Sequence, residues 1–406
     1  MSDFFQNGTV TTFHNITNRP VEDLEKELCQ FSQKKPLGLI LPSLFSELER
    51  PALATIVNEL QQVPYLNQIV IGLDQANAKQ FAYAKDYFSD LPQQTRILWN
   101  DGPRMQSLLA ELKKKGLAPK ERGKGSNVWN CFGYVLASEQ SEVVALHDCD
   151  VLTYQRSLLA RLIYPVAHPT FNFAFSKGYY PRYADGKLNG RASRLLVTPL
   201  LRALKGVVGQ DDLLSYLDSF RYPLAGEFAL DVHCLKELRI PSDWGLEIGV
   251  LSEVLKNYSN RRICQVDIAD VYDHKHQAVS FEDKQSGLSR MSQDIAKSLY
   301  RKLAVRGHPF SNSTLRTIRA RYYRTALDQL ESYAFDAEMN GLGLDLHSEE
   351  QVIELFAANI LEAGKAFVES PSEVPFMPNW NRVMSACPDI LEKLYDAVEQ
   401  DNQFPS

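Results

Sequence analysis

Four short apolar runs rich in β-branched residues, at 36–42, 67–73, 95–99 and 143–146, alternate with stretches of helical periodicity. Runs apolar on both faces read as strands buried on both sides, and strands separated by helices predict a mostly parallel sheet covered by helices. The first intervening helix, 50–63, has Pro51 in its first turn and Leu53, Ile56, Val57 and Leu60 at helical spacing. Others are expected at 77–88 and 127–138, and Pro42 is expected to stop the first strand. Later strands are read at 172–177 and 264–271. From about residue 277 the pattern is helical only, at 297–305, 314–332, 348–368 and 390–402. The chain therefore divides into an N-terminal extension (1–35) with a short amphipathic helix at 21–31, an α/β domain (36–280) and a helical C-terminal domain (281–406).

The formal net charge of −6 over 406 residues excludes a general nucleic-acid binder, which needs a basic surface to neutralise phosphates. Arg316, Arg319, Arg321 and Arg324 read as a solvated basic face. The six cysteines contain no C-x-x-C pair, so neither a zinc site nor a disulfide framework is indicated. No run is long and apolar enough to span a membrane, and residues 1–10 lack the features of a signal peptide, so a cytoplasmic location is expected.

The chemistry gathers at the end of the fourth run, His147-Asp148-Cys149-Asp150. If the chain stays extended, Asp148 and Asp150 share a face about 6–7 Å apart, with Cys149 turned into the core. Two carboxylates at the carboxyl end of a parallel strand suit a hard divalent cation and a phosphorylated ligand, although such a pair also serves simply to end a strand. Just upstream, Gly123-Lys124-Gly125 precedes a helix, where backbone N–H groups and an ammonium approach a phosphate, or where a basic loop is merely solvated. The spacing is not that of a Walker loop. Arg191, at a helix start in Gly190-Arg191-Ala192-Ser193-Arg194, suits bidentate contact to a carboxylate or phosphate, or a solvated first turn. Glu227 closes the loop Pro223-Leu224-Ala225-Gly226-Glu227, and Glu247 opens an apolar helix, where it serves a sugar hydroxyl or the helix dipole. His274, just past the last strand, is a candidate metal ligand or an ordinary surface histidine.

In this order, the Pro42-Ser43-Leu44 strand end, Gly123-Lys124-Gly125, Asp148-Cys149-Asp150, the 223–227 loop, Gly245-Leu246-Glu247 and Asp273-His274 resemble the glucosyl-3-phosphoglycerate synthases. These are retaining glycosyltransferases of GT-A fold, and the resemblance covers about residues 36–280. It implies a mixed α/β sheet that binds a nucleotide sugar, with donor contacts at Pro42, Ser43, Leu44, Asp74, Lys124, Asp148, Leu224 and Glu227. Phe45-Ser46 replaces the family's Asn-Glu, leaving Glu47 to supply a nucleotide-facing carboxylate. It further implies Mg²⁺ or Mn²⁺ on Asp150 and His274, and 3-phosphoglycerate on Gly190, Arg191, Ser193 and Glu247. Glu247, Asp148 and Lys124 become the catalytic candidates, and a homodimer is expected. Rival readings are a GT-A enzyme using GDP-mannose or another acceptor, a non-catalytic sugar-nucleotide binder, and a nucleotidyltransferase.

Overall fold

The computed structural model describes residues 9–242, 245–273, 287–371 and 376–403. Its strands are β1 (Thr11–Phe13), β2 (Leu37–Leu44), β3 (Leu66–Asp74), β4 (Gln94–Trp99), β5 (Val143–Leu146), β6 (Phe175–Tyr179), β7 (Tyr183–Ala184), β8 (Lys187–Leu188), β9 (Phe228–Asp231) and β10 (Ile263–Asp267). Strands β7 and β8 form a separate ribbon, and the rest join in one sheet of order β1-β10-β6-β9-β5-β2-β3-β4. Only β9 runs antiparallel, to β5 and β6 on either side. The sheet is therefore mixed, and β9, like the short β1, is a strand that the sequence pattern does not show.

Period-2 alternation builds two cores from the same strands. Leu37, Leu39 and Leu41 of β2, with Val143 and Ala145 of β5, enter the core on one face. There they meet the helices Val21–Ser32, Pro51–Leu60 and Arg156–Ala167. Ile40, Val144 and Leu146 enter the core on the other face. That second core is continuous from Phe228 through Trp129, Tyr322 and Phe356 to Val398, so the C-terminal helices pack onto the sheet's helical layer without a break. Trp380 stacks on Trp129 at 4.4 Å between ring centroids and donates its indole N–H to the Trp129 carbonyl.

Three local expectations are corrected. First, β2 does not stop at Pro42. The Ile40 carbonyl accepts from His147 N–H, so even-numbered residues of β2 direct their backbone groups towards β5. The β5 pairing ends at Ile40↔Leu146, and at position 42 the missing proline N–H leaves no partner stranded. Second, β5 ends at Leu146 and β10 at Asp267, so Asp148 and Asp150 lie in the loop beyond the strand. Third, residues 11–13 of the expected extension pair in parallel with Cys264, Gln265 and Val266, which makes them an edge strand.

The helix expected after Arg191 opens as a π-turn, Ala192–Val197, with Thr198 N–H bonded to the Ser193 carbonyl, before continuing as Thr198–Val208. Pro199 has no N–H to return to Leu195 four residues back. That orphaned carbonyl accepts a 2.6 Å bond from the Tyr322 hydroxyl on the helix Asn312–Met339.

The opposite edge of the sheet is closed by a side chain. From the helix Ile390–Gln403, Asn402 accepts from Ile97 N–H at 3.1 Å and donates to the Ile97 carbonyl at 2.9 Å, so its amide stands in for a neighbouring strand. Replacing Asn402 by Ala leaves both β4 groups without that partner and is expected to destabilise the fold by about 1–3 kcal/mol. Chemical denaturation midpoints at unchanged m-value check this.

Candidate active site

The parallel strands β2, β3 and β5 all end on one side of the sheet, where ligands of such folds bind. A cavity of about 1060 Å³ opens there. Pro42, Ser43 and Leu44 from the end of β2, Glu47 from the turn that follows, and Asp74 from the end of β3 line one part of it. Lys124, Asp148, Asp150, Leu224 and Glu247 line it too, as do Gly190 and Arg191. Most of the site residues read from the sequence therefore share one cavity.

Lys124 is the first residue of the helix Lys124–Ser138. Gly123 precedes it with φ 154°, a backbone setting suited to glycine. The Lys124 Nζ lies 2.6 Å from Asp148 Oδ1 and 3.3 Å from Glu247 Oε1. Burial disfavours its charge, but Asp148 and Glu247 outweigh burial and hold the lysine firmly protonated.

Asp148 and Asp150 are both half-buried, with Cys149 buried between them, so the alternation read from the sequence persists beyond the strand. Burial, and then the neighbouring Asp148 charge, push the Asp150 carboxyl up to about 7. Among the described residues no three His, Cys, Asp or Glu side chains cluster as a metal cage. An oxygen donor pair with excess negative charge nevertheless fits a hard cation of the Mg²⁺ type, which takes one or two carboxylates and completes its shell with phosphate oxygens and water. His274 lies outside the described residues.

Two predicted positions do not line the cavity. Glu227 is fully buried beneath it, its two oxygens accepting bonds from the Tyr180 hydroxyl, at 2.7 Å, and the Tyr272 hydroxyl. The two phenol rings stack 3.6 Å apart. Burial and then Asp148 raise the Glu227 pKa, while the two phenols oppose the shift. The reason for its position is periodicity: Glu227 directly precedes β9 and turns inward, while Leu224 faces the cavity. Ser193 is likewise buried by the π-turn, and among the described residues its Oγ has no hydrogen-bond partner. Gly190, Arg191 and Ala192 face the cavity instead.

The loop carrying Leu224 is held from below. Lys177, fully buried, donates to the Ala225 carbonyl, and burial lowers its pKa to about 8. The Asp148 carboxylate rests on Gly226, where any Cβ would overlap it. Further cavity residues escaped the sequence reading: Arg122, Arg182, Tyr222, Arg290 and Glu349. Arg122 pairs with Asp101 and reaches to 4.0 Å from Asp74. Burial pushes the Asp74 carboxyl up to about 6, with Arg122 opposing and Asp101 reinforcing the shift. Of these, only the helix that carries Glu349 was visible in the pattern, as 348–368; which face it turns to the site is a tertiary fact.

Against known proteins, the chain is 46% identical over 402 residues to glucosyl-3-phosphoglycerate synthase of Persephonella marina, covering 99% of each. The chain belongs to the glucosyl-3-phosphoglycerate synthase family. The corresponding enzyme of Methanococcoides burtonii is 39% identical over 403 residues, with 98% of each covered. No protein-family model matches. Among solved structures, glucosyl-3-phosphoglycerate synthase from Mycobacterium tuberculosis, in complex with Mn²⁺, UDP-glucose and phosphoglyceric acid, superposes with a TM-score of 0.53 at 19% identity. It covers 75% of this chain and 89% of that one. This likeness shows the fold, a GT-A-type mixed sheet flanked by helices.

In this cavity, Gly226→Ala is expected to push Asp148 off its seat and away from Lys124. Misplacement on the 1 Å scale costs on the order of 100-fold in rate. Turnover measured beside an unchanged circular dichroism spectrum checks it.

Proposed function

We propose that the chain transfers glucose from a nucleoside-diphosphate sugar to the free hydroxyl of 3-phosphoglycerate with retention of configuration. The observation that carries this reading is that one cavity gathers all these groups. It offers strand-end residues and Asp74 to a nucleoside, adds an acid pair and a lysine, and offers Arg191 and the backbone of Gly190 to a phosphorylated acid. Family membership supports the reading of both substrates.

In this assignment Pro42, Ser43, Leu44, Glu47 and Asp74 hold the nucleoside, and Asp148 and Leu224 border the donor sugar. Asp150, with His274 by family resemblance, would hold a divalent cation, Mg²⁺ or Mn²⁺, which when bound neutralises charge on the leaving diphosphate. Lys124 adds a fixed positive charge on the same side, preorganised by Asp148 and Glu247. Glu247 orients the acceptor hydroxyl, and Arg191 grips the acceptor phosphate by charge-assisted bonds. Glu227 has both oxygens engaged by phenols, which argues against it as a covalent nucleophile and favours front-face attack. Among the described residues no helix is long and apolar enough to cross a membrane. A cytoplasmic location and a homodimer belong to the same proposal.

The deciding assay offers UDP-glucose, GDP-glucose and GDP-mannose with 3-phosphoglycerate, with Mg²⁺ and with chelator. Metal-dependent formation of a retained glucoside is expected, and an inverted product or a chelator-resistant rate would overturn the mechanism. Asp150→Asn is expected to abolish the metal-dependent turnover without loss of fold.

The donor KM should also depend on pH. Asp74 accepts a base N–H more strongly as the carboxylate than as the neutral acid, and with its pKa raised to about 6 it becomes protonated as pH falls through 6. The donor KM is therefore expected to rise as pH falls below 6 and to level off once Asp74 is fully protonated. Kinetics between pH 5 and 8 check this, and Asp74→Asn should flatten the profile.

A further inference from the structure

Part of the cavity wall comes from the C-terminal helical region, to which nothing above assigns a chemical role. The helix Leu346–Glu369, capped by Asp345, brings Ser348 and Glu349 to the cavity. Glu349 is 2% exposed. Its carboxylate bridges two guanidiniums, with Oε1 accepting from Arg191 Nε at 2.6 Å and Oε2 from Arg194 at 2.8 Å. Ser348 Oγ accepts a third bond, from the Arg191 NH2 group at 3.2 Å. Arg194 is itself fixed, by the carbonyls of Asn189 and Leu188 and by the Tyr333 ring 5.1 Å from its guanidinium carbon.

We infer that Glu349 is a positioning residue for acceptor binding, holding the Arg191 guanidinium in the orientation that meets an acceptor phosphate. This rests on the acceptor site proposed above. A buried carboxylate locked by Arg194 cannot follow Arg191 as it moves, so it acts as a fixed post for a side chain with many rotamers. The bonds to Nε and NH2 engage one edge of the guanidinium, and among the described residues NH1 has no partner. Two arginines against one carboxylate leave a net positive charge, as an anion site requires. The C-terminal helices thereby complete the acceptor pocket.

The test is steady-state kinetics of Glu349→Gln with both substrates varied. The KM for 3-phosphoglycerate is expected to rise about tenfold, with donor KM within twofold and kcat within threefold. A fall in acceptor KM would mean that Glu349 competes with the phosphate, and equal changes in both KM values, or a loss confined to kcat, would mean a merely structural role. Either result, or no change, overturns the inference. Ser348→Ala, at a half-buried position, serves if Glu349→Gln does not fold: a two- to fivefold rise in acceptor KM alone supports the inference and an unchanged value overturns it. Arg191→Ala separates the two levels. If it leaves the acceptor KM unchanged, the acceptor site itself is misassigned. If it raises that KM while Glu349→Gln does not, only the role of Glu349 falls.

Discussion

A single ammonium group sets the geometry on which the rest of the site depends. Asp148, Asp150, Glu227 and Glu247 come from three separate segments and lie close enough for their charges to be felt by one another or by Lys124. Like charges so placed, and partly withdrawn from water, drive one another towards protonation. Lys124 pairs directly with Asp148 and Glu247, while burial and then the Asp148 charge raise the pKa of Asp150. This cluster is thus short of positive charge, which a bound cation would supply.

Much of this was written locally. The apolar runs of β2, β3 and β5, the acid pair after β5, and a lysine at the start of the preceding helix are visible because each depends on neighbours within a few residues. Distance in sequence marks where legibility ends. β9 is four residues long and turns at once into the helix Val232–Glu237, too short to display a period. Glu227 reads as a cavity residue until Tyr180 and Tyr272, 47 and 45 positions away, are seen to occupy it. The contact between Arg191 and Glu349 spans 158 positions. Pro42 misled because the proline rule applies to a strand paired on both sides, and β2 has already lost one neighbour there.

The helical C-terminal region is bonded into the catalytic layer at points where that layer has a defect. Pro199 frees the Leu195 carbonyl, and Tyr322 takes it up. Gly133, whose missing side chain leaves room on the helix Lys124–Ser138, receives the Trp380 ring. These contacts flank the two helices that carry Lys124 and follow Arg191, so rigidity at the site is supplied in part from the far side of the core.

The Asn402 amide that closes the β4 edge is separated from Ile97 by 305 residues. On a ribosome adding roughly 5–20 residues per second, that edge waits about 15–60 s for its cover. During that interval the exposed backbone of Gln94–Trp99 is a template for pairing with any other nascent strand. A sheet that is secure once finished therefore passes through a long stage of synthesis in which its solubility depends on chaperones or on charged side chains such as Arg96 along that edge.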